Sequence, residues 1–331
     1  MPVVKTKSSA GSLQVHYTIS TPTASDSKTI DPRLPTLLFL HPVYMASDLW
    51  HMQFADRKLR QFNLVAVDLR AHGETGGECK KNYNQETSAE DIAKFIEAAK
   101  LPACHIVGLS MGTIIAIQLA ISYPKLVASL FLVSPLGLAE PDEVTQGREE
   151  IGEYWVEGLR SKDESALTDA VHGALQLGFN NVQTNMVSAL TARSVPLAAK
   201  NWTAKTIDSY MISTVKFFTE RKEHPPDKLR QITCPVKLVH CLGDIAYPLE
   251  YSKEFLGRLK DVGIDASLDT IADAPHFGPV THPHRVNPIL RDFVTKHTAG
   301  VIPPPPASAV SPFEKHLVKC GLKSADSEED D

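Results

Sequence analysis

No stretch of the sequence approaches the ~18 consecutive apolar residues that a membrane-spanning helix requires. The opening Met-Pro-Val-Val-Lys-Thr-Lys also lacks the apolar core of a secretion signal. These two absences set the expectation of a cytoplasmic protein with no membrane span. Cysteine is scarce and scattered: Cys79, Cys104, Cys234, Cys241 and Cys320 form no C-x-x-C pair and no cluster with histidine. Such spacing suggests neither a disulfide framework nor a structural zinc site, and the expectation is no metal and no organic cofactor. A large charge excess is missing too. The formal net charge of −5 argues against nucleic acid or an anionic membrane surface as a partner. No internal repeat is present. What remains, 43% apolar and 22% charged residues over 331 positions, suits a globular enzyme of one large domain with an insertion, or two small ones.

Short runs of Val, Ile, Leu and Phe recur between helical patterns. Residues 13–20 alternate as a strand, 36–40, 62–68 and 126–133 read as buried strands, and 236–242 and 265–271 read as strands. Helical spacing occupies 48–61, 88–100 with a serine cap, 249–261 and 283–297. Continuous apolar strands alternating with helices predict an α/β fold with a mostly parallel sheet covered on both faces. Between 135 and 230 the strands vanish. Helical patterns over 142–160, 164–177, 181–192 and 204–222 imply an all-helical insertion carrying much of the aromatic content, Trp155 and Trp202 included. Past 298 a four-proline run leads to a short helical pattern over 312–322 and an acidic end. This tail, 299–331, is expected to be largely disordered.

The stretch Cys104-His105-Ile106-Val107-Gly108-Leu109-Ser110-Met111-Gly112 reads as strand, sharp turn and helix. In G-x-S-x-G the serine takes a strained backbone conformation at the turn. The flanking positions crowd the strand and helix, so a side chain is excluded there. The turn lifts the Ser110 hydroxyl clear of the sheet and aims the helix's free N–H groups at whatever it attacks. Serine needs a base to take its proton, and the base needs an orienter. Both follow at sheet-edge loops: Asp244 after the strand over 236–242, and His276 after the strand over 265–271, in Ala-Pro-His-Phe. Asp273 is a rival acid but lies only three positions before His276. Asp244 as a helix cap and Ser110 as an ordinary turn serine are the plainer readings.

The serine elbow, the H-x-x-x-D-x-x-x-P stretch around Asp244, the terminal His-Phe and the Asp68-Leu-Arg-Ala-His-Gly turn together resemble the α/β-hydrolase family over residues ~10–298. The elbow helix resembles those of small esterase and enol-lactonase-like members with a serine nucleophile and a helical cap. The resemblance implies an eight-stranded sheet, a core of 1–134 and 231–298, a helical cap over 135–230, and a Ser110–His276–Asp244 triad. It further implies an oxyanion hole from the backbone N–H groups of Val43 and Met111. His41-Pro42 stands where His-Gly is usual; Pro42 has no N–H, but the expected donor is one residue later. His41, Tyr44, Trp155 and Trp202 are candidates for the substrate pocket. The reaction implied is hydrolysis of a small, mostly apolar carboxylic ester or lactone. C–C bond hydrolysis, lyase or cofactor-free oxygenase chemistry on the same triad stays open. So do a small-molecule receptor without turnover and a scaffold whose tail docks a partner.

Overall fold

A computed structural model describes residues 2–323. The chain opens with β1 (Val3–Ser8) and β2 (Gly11–Thr21), an antiparallel hairpin with Val4 opposite Val15. Sequence patterning marks β2 but not β1, whose only buried residue is Thr6. A short β3 (Ala24–Ser27) pairs with β2. Next come β4 (Thr36–Leu40), a tight turn over Ser47–Trp50 running into α1 (His51–Phe54), a second over Leu59–Gln61, and β5 (Asn63–Val67). One helix was expected over 48–61. The Asp56 carboxylate instead accepts from the Lys58 and Leu59 N–H groups, so a side chain competes for the bonds a continuous helix would use.

Helix α2 (Gln85–Ala98) starts ahead of the expected serine because Asn84 and Thr87 form a reciprocal capping box. Then follow β6 (Cys104–Leu109), α3 (Met111–Ser122) and β7 (Val127–Val133). The insertion comprises α4 (Asp142–Ser161), α5 (Glu164–Phe179), α6 (Asn185–Asn201), α7 (Ile207–Met211), α8 (Phe217–Thr219) and α9 (Pro226–Leu229). Thr184, whose hydroxyl accepts from the Val187 N–H, starts α6 later than the expected 181. A π-turn over Ile212–Lys216 joins α7 to α8 within the expected 204–222. The sheet resumes with β8 (Val236–Cys241), α10 (Leu249–Asp261) and β9 (Ala266–Ile271), and the body closes with α11 (Gly278–Thr281) and α12 (Pro283–Lys296).

The sheet runs β1-β2-β5-β4-β6-β7-β8-β9 with β3 beside β2: the eight strands of the expected fold plus one short addition. From β5 to β9 every pairing is parallel, and every residue of β4, β5 and β6 is buried. In such a sheet the loops after β4, β6, β8 and β9 all emerge at the carboxyl edge, where open α/β sheets gather their ligands.

The expectation of a largely disordered tail is corrected over 299–323, which lies against the body; 324–331 fall outside the described residues. Phe313, 1% exposed, sets its ring edge-on to Phe54 at 5.1 Å, and Leu317 of α13 (Glu314–Lys319) is fully buried. Buried Arg60 donates through Nη1 to the Val310 carbonyl at 3.0 Å, and Asn185 at the start of α6 donates through Nδ2 to the Gly321 carbonyl at 2.9 Å. Prolines cannot donate backbone bonds, but their carbonyls accept: Arg57 Nε reaches that of Pro306 at 2.9 Å. Truncating Phe313 to alanine is expected to lower stability by about 3 kcal/mol, read as a shift in the urea midpoint.

Candidate active site

The tight turn after β6 puts Ser110 at φ 52°, ψ −114°, a conformation costly for any residue with a side chain. Close approach makes both glycines obligatory. A Cβ on Gly108 would lie 2.7 Å from the Gly112 carbonyl oxygen, and one on Gly112 would lie 2.1 Å from that of Leu40. Neither backbone atom can yield without moving a core strand or helix. Gly112→Ala is therefore expected to destabilise the protein by more than about 3 kcal/mol or to abolish soluble expression, measured by chemical denaturation. The Ser110 carbonyl is held by Thr113, whose hydroxyl donates to it at 2.6 Å and accepts from the Leu136 N–H at 2.9 Å.

Three side chains distant in sequence meet at this edge. The Ser110 hydroxyl lies 2.8 Å from His276 Nε2, and His276 Nδ1 lies 2.5 Å from Asp244 Oδ2. A carboxylate only accepts, so Nδ1 carries the proton and Nε2 is the acceptor for the serine. The other Asp244 oxygen accepts from the Ala246 and Tyr247 N–H groups at 2.9 and 3.1 Å. Asp244 caps its own turn and not α10, whose cap is Pro248. The carboxylate is wholly buried, the imidazole nearly so, and the Tyr247 ring stacks on the imidazole at 5.3 Å. Ser134 Oγ donates to the His276 carbonyl at 2.7 Å, fixing its loop.

After β4 the chain turns through His41-Pro42-Val43, and Tyr44 adopts the left-handed φ of 64°. His41 is fully buried and binds backbone on both sides. Its Nε2 accepts from the Leu69 N–H at 3.0 Å and its Nδ1 donates to the Pro42 carbonyl at 2.7 Å. Burial pushes its pKa down to about 4, and that of His72 beside it down to about 3. Met111 opens α3, and among the described residues neither its N–H nor that of Val43 has an acceptor.

A narrow pocket opens over Ser110 and His276, with Val43, Tyr44, Val144, Ile151, Leu177 and Phe277 among its walls. Tyr44 thus lines this pocket. His41, Trp155 and Trp202 do not: His41 lies beneath the loop, and both tryptophans are buried behind the wall. The Trp202 ring meets Tyr44 at 5.3 Å, and Trp155 stacks on Tyr210 at 5.3 Å. Their apolar bulk is spent on packing the insertion against the Tyr44 loop. Of the liners with polar side chains, sequence reading missed Arg148, Thr214 and Tyr247. Tyr247 is the residue before the proline of the H-x-x-x-D-x-x-x-P stretch. Arg148 sits in Gln-Gly-Arg-Glu-Glu, which looks like a solvated helix face.

The insertion reaches the site directly. The Phe277 N–H donates to the Gly178 carbonyl at 2.8 Å, and a side chain on Gly178 would strike the Phe277 ring. At the other flank Arg193 of α6 pairs with Asp48 at 3.1 Å and with Glu74 at 2.9 Å. Among the described residues no helix is long and apolar enough to cross a membrane.

A family profile described as "alpha/beta hydrolase fold" matches residues 35–282. Among curated proteins, the chain is 34% identical over 105 residues to the dihydrolipoyllysine-residue acetyltransferase component of the acetoin cleaving system from Cupriavidus necator, covering 32% of this chain and 28% of that one. It is 28% identical over 111 residues to a putative carbamate hydrolase, RutD, from Agrobacterium fabrum, covering 34% of this chain and 42% of that one. The chain thus matches less than half the length of these relatives. Among solved structures, a thermophilic esterase from Thermogutta terrifontis superposes with a TM-score of 0.67 at 20% identity, over 90% of this chain and 99% of that one. The enol-lactonase from Burkholderia xenovorans does so with a TM-score of 0.67 at 18% identity, over 88% and 99%. At such identities the likeness is one of fold.

Proposed function

The chain belongs to the alpha/beta hydrolase fold family, and from that premise we propose that it is a serine hydrolase cleaving a small carboxylic ester or lactone through an acyl-enzyme on Ser110. The observation that carries this reading is the unbroken row Ser110 Oγ–His276 Nε2–Asp244 Oδ2, with Nε2 in the acceptor state that proton removal requires. In the reaction His276 takes the hydroxyl proton as Ser110 Oγ attacks the carbonyl carbon. The oxyanion is stabilised by the N–H groups of Val43 and Met111, each worth roughly 3–4 kcal/mol to the transition state. The imidazolium, steadied by Asp244, returns its proton to the departing alcohol oxygen. Water, deprotonated by the same imidazole, then releases the acid. The chemistry of these residues calls for no metal or organic cofactor.

Residues 135–230 act in this reading as a cap over the pocket, with the hydrolase core in 1–134 and 231–298. The supporting contacts are those of Gly178 with the His276 loop and of Arg193 with Asp48 and Glu74. The test is labelling by a fluorophosphonate probe, followed by a panel of acyl esters and lactones. Labelling of wild type but not of Ser110→Ala is expected. Folded wild type that neither labels nor turns over any ester, yet is stabilised by one, would make the protein a receptor.

A further inference from the structure

Arg148 of α4 is the only permanently charged side chain among the described pocket walls. It belongs to a buried group in which charge does not balance. Arg148 Nε donates to Glu140 Oε1 at 2.5 Å, and Arg221 Nη2 donates to Glu140 Oε2 at 3.1 Å. The side chains of Arg148, Arg221 and Glu140 are 10%, 3% and 1% exposed, so two largely buried guanidiniums share one carboxylate. Tyr247 gives its hydroxyl proton to Glu140 at 2.9 Å and accepts from Arg148 Nη2 at 3.2 Å, and Tyr251 accepts from Arg221 Nη2 at 3.1 Å. Neither tyrosine brings charge. The nearby Glu223 is engaged at the surface with Arg258.

An unmatched buried cation is expensive unless something supplies the counter-charge. Arg148 already lies over the Phe218 ring, 3.6 Å from its centroid, which offers partial relief. Among the described residues Nη1 of Arg148 makes no hydrogen bond, and neither does the buried Nη1 of Arg221; of the two, Arg148 lines the pocket, whose other polar liners are Tyr44, Ser110, Thr214, Tyr247 and His276. Tyr247 spans the gap, its ring on the imidazole and its hydroxyl on Arg148.

Building on the hydrolase reading above, we propose that the substrate carries a carboxylate at the end remote from the scissile carbonyl, and that Arg148 binds it. The substrate class is then a half-ester of a dicarboxylic acid, or a lactone bearing a carboxylate side chain. The apolar walls take the carbon chain between the two ends. Binding the anion balances Glu140, Arg148 and Arg221, and the planar guanidinium is suited to hold it.

The test compares p-nitrophenyl hydrogen adipate with p-nitrophenyl hexanoate, which differ by a carboxylate against a methyl group. Wild type is expected to favour the half-ester in kcat/KM by at least about tenfold, and Arg148→Gln to lower that ratio on the order of 10–100-fold, with Arg148→Lys restoring part of it. Arg148→Gln leaves Glu140 paired with Arg221, so the fold keeps a neutral pair. Absence of a preference in wild type, or an unchanged ratio in Arg148→Gln, overturns the proposal. A binding measurement separates this failure from that of the hydrolase reading: free adipate should raise the melting temperature of wild type and Ser110→Ala but not of Arg148→Gln. Arg148-dependent stabilisation without hydrolysis of either ester would overturn the hydrolase reading and support the anion site. Hexanoate hydrolysis with no adipate stabilisation would do the reverse.

Discussion

Ester turnover is expected to fall about a millionfold in Ser110→Ala, since removing the nucleophile of such a triad removes nearly everything the triad does together. The substitution keeps the Cβ that the strained turn already accommodates, so the fold should be intact. Asp244→Asn should lose about 10⁴-fold for a different and geometric reason. The Ala246 and Tyr247 N–H groups point at one oxygen of residue 244. An asparagine must turn its carbonyl oxygen to them, which leaves its NH₂ facing His276 Nδ1. Nδ1 then has to accept, the proton moves to Nε2, and Nε2 can no longer take one from Ser110. Steady-state kcat on a p-nitrophenyl ester measures both variants. Ser110→Ala retaining more than a few per cent of wild-type turnover, beyond contamination, would remove the acyl-enzyme from consideration.

The parts of this site that sequence revealed are those where the backbone imposes the residue type. Gly108 and Gly112 admit no Cβ, so the elbow is written in glycine. Asp244 and His276 occupy loops that a parallel sheet is bound to bring to one edge. Continuous apolar β4, β5 and β6 are likewise legible, because a strand buried on both faces tolerates little else. What stayed hidden depends on partners far along the chain. β1 carries Lys5 and Lys7 and exists because β2 is beside it. The tail packs because Phe54 and Arg60 await it, which its proline composition does not disclose. Arg148 looks like one charge among several on α4 until Glu140, Arg221 and Tyr247 surround it. Trp155 and Trp202 show the converse: large aromatics in an insertion were natural pocket candidates, but the chain uses them to back the Tyr44 loop.

Acid is expected to unfold the protein at a pH where most of its carboxylates are still charged, and the cause lies under the same loop. His41 and His72 are buried and neutral, with pKa values pushed down to about 4 and about 3 by loss of solvation. A depressed folded-state pKa adds stability that is fully present above the unfolded value near 6.5 and is lost as pH falls toward the folded value. Between pH 7.5 and 4.5 each should withdraw about 2.5 kcal/mol, together a large part of the 5–15 kcal/mol of an ordinary domain. His41 cannot simply accept the proton in place. Its Nε2 is the acceptor for the Leu69 N–H, so an imidazolium would set donor against donor and push out the loop carrying Val43 and Tyr44. His51 and His105, also pushed down to about 4 by burial, act in the same direction. Asp48 opposes them: burial and then Asp68 raise its pKa to about 6, so acidification relieves about 2 kcal/mol there. The histidines prevail. In His72→Asn the amide can replace Nδ1 as donor to the Arg70 carbonyl, a bond of 2.9 Å in wild type, while no proton can be taken up. Its stability, from urea unfolding at a series of pH values, should fall about 2.5 kcal/mol less than that of wild type over the same interval. Parallel curves for the two proteins would mean that His72 does not resist protonation. The link between acid and the Val43 loop would then rest on His41 alone.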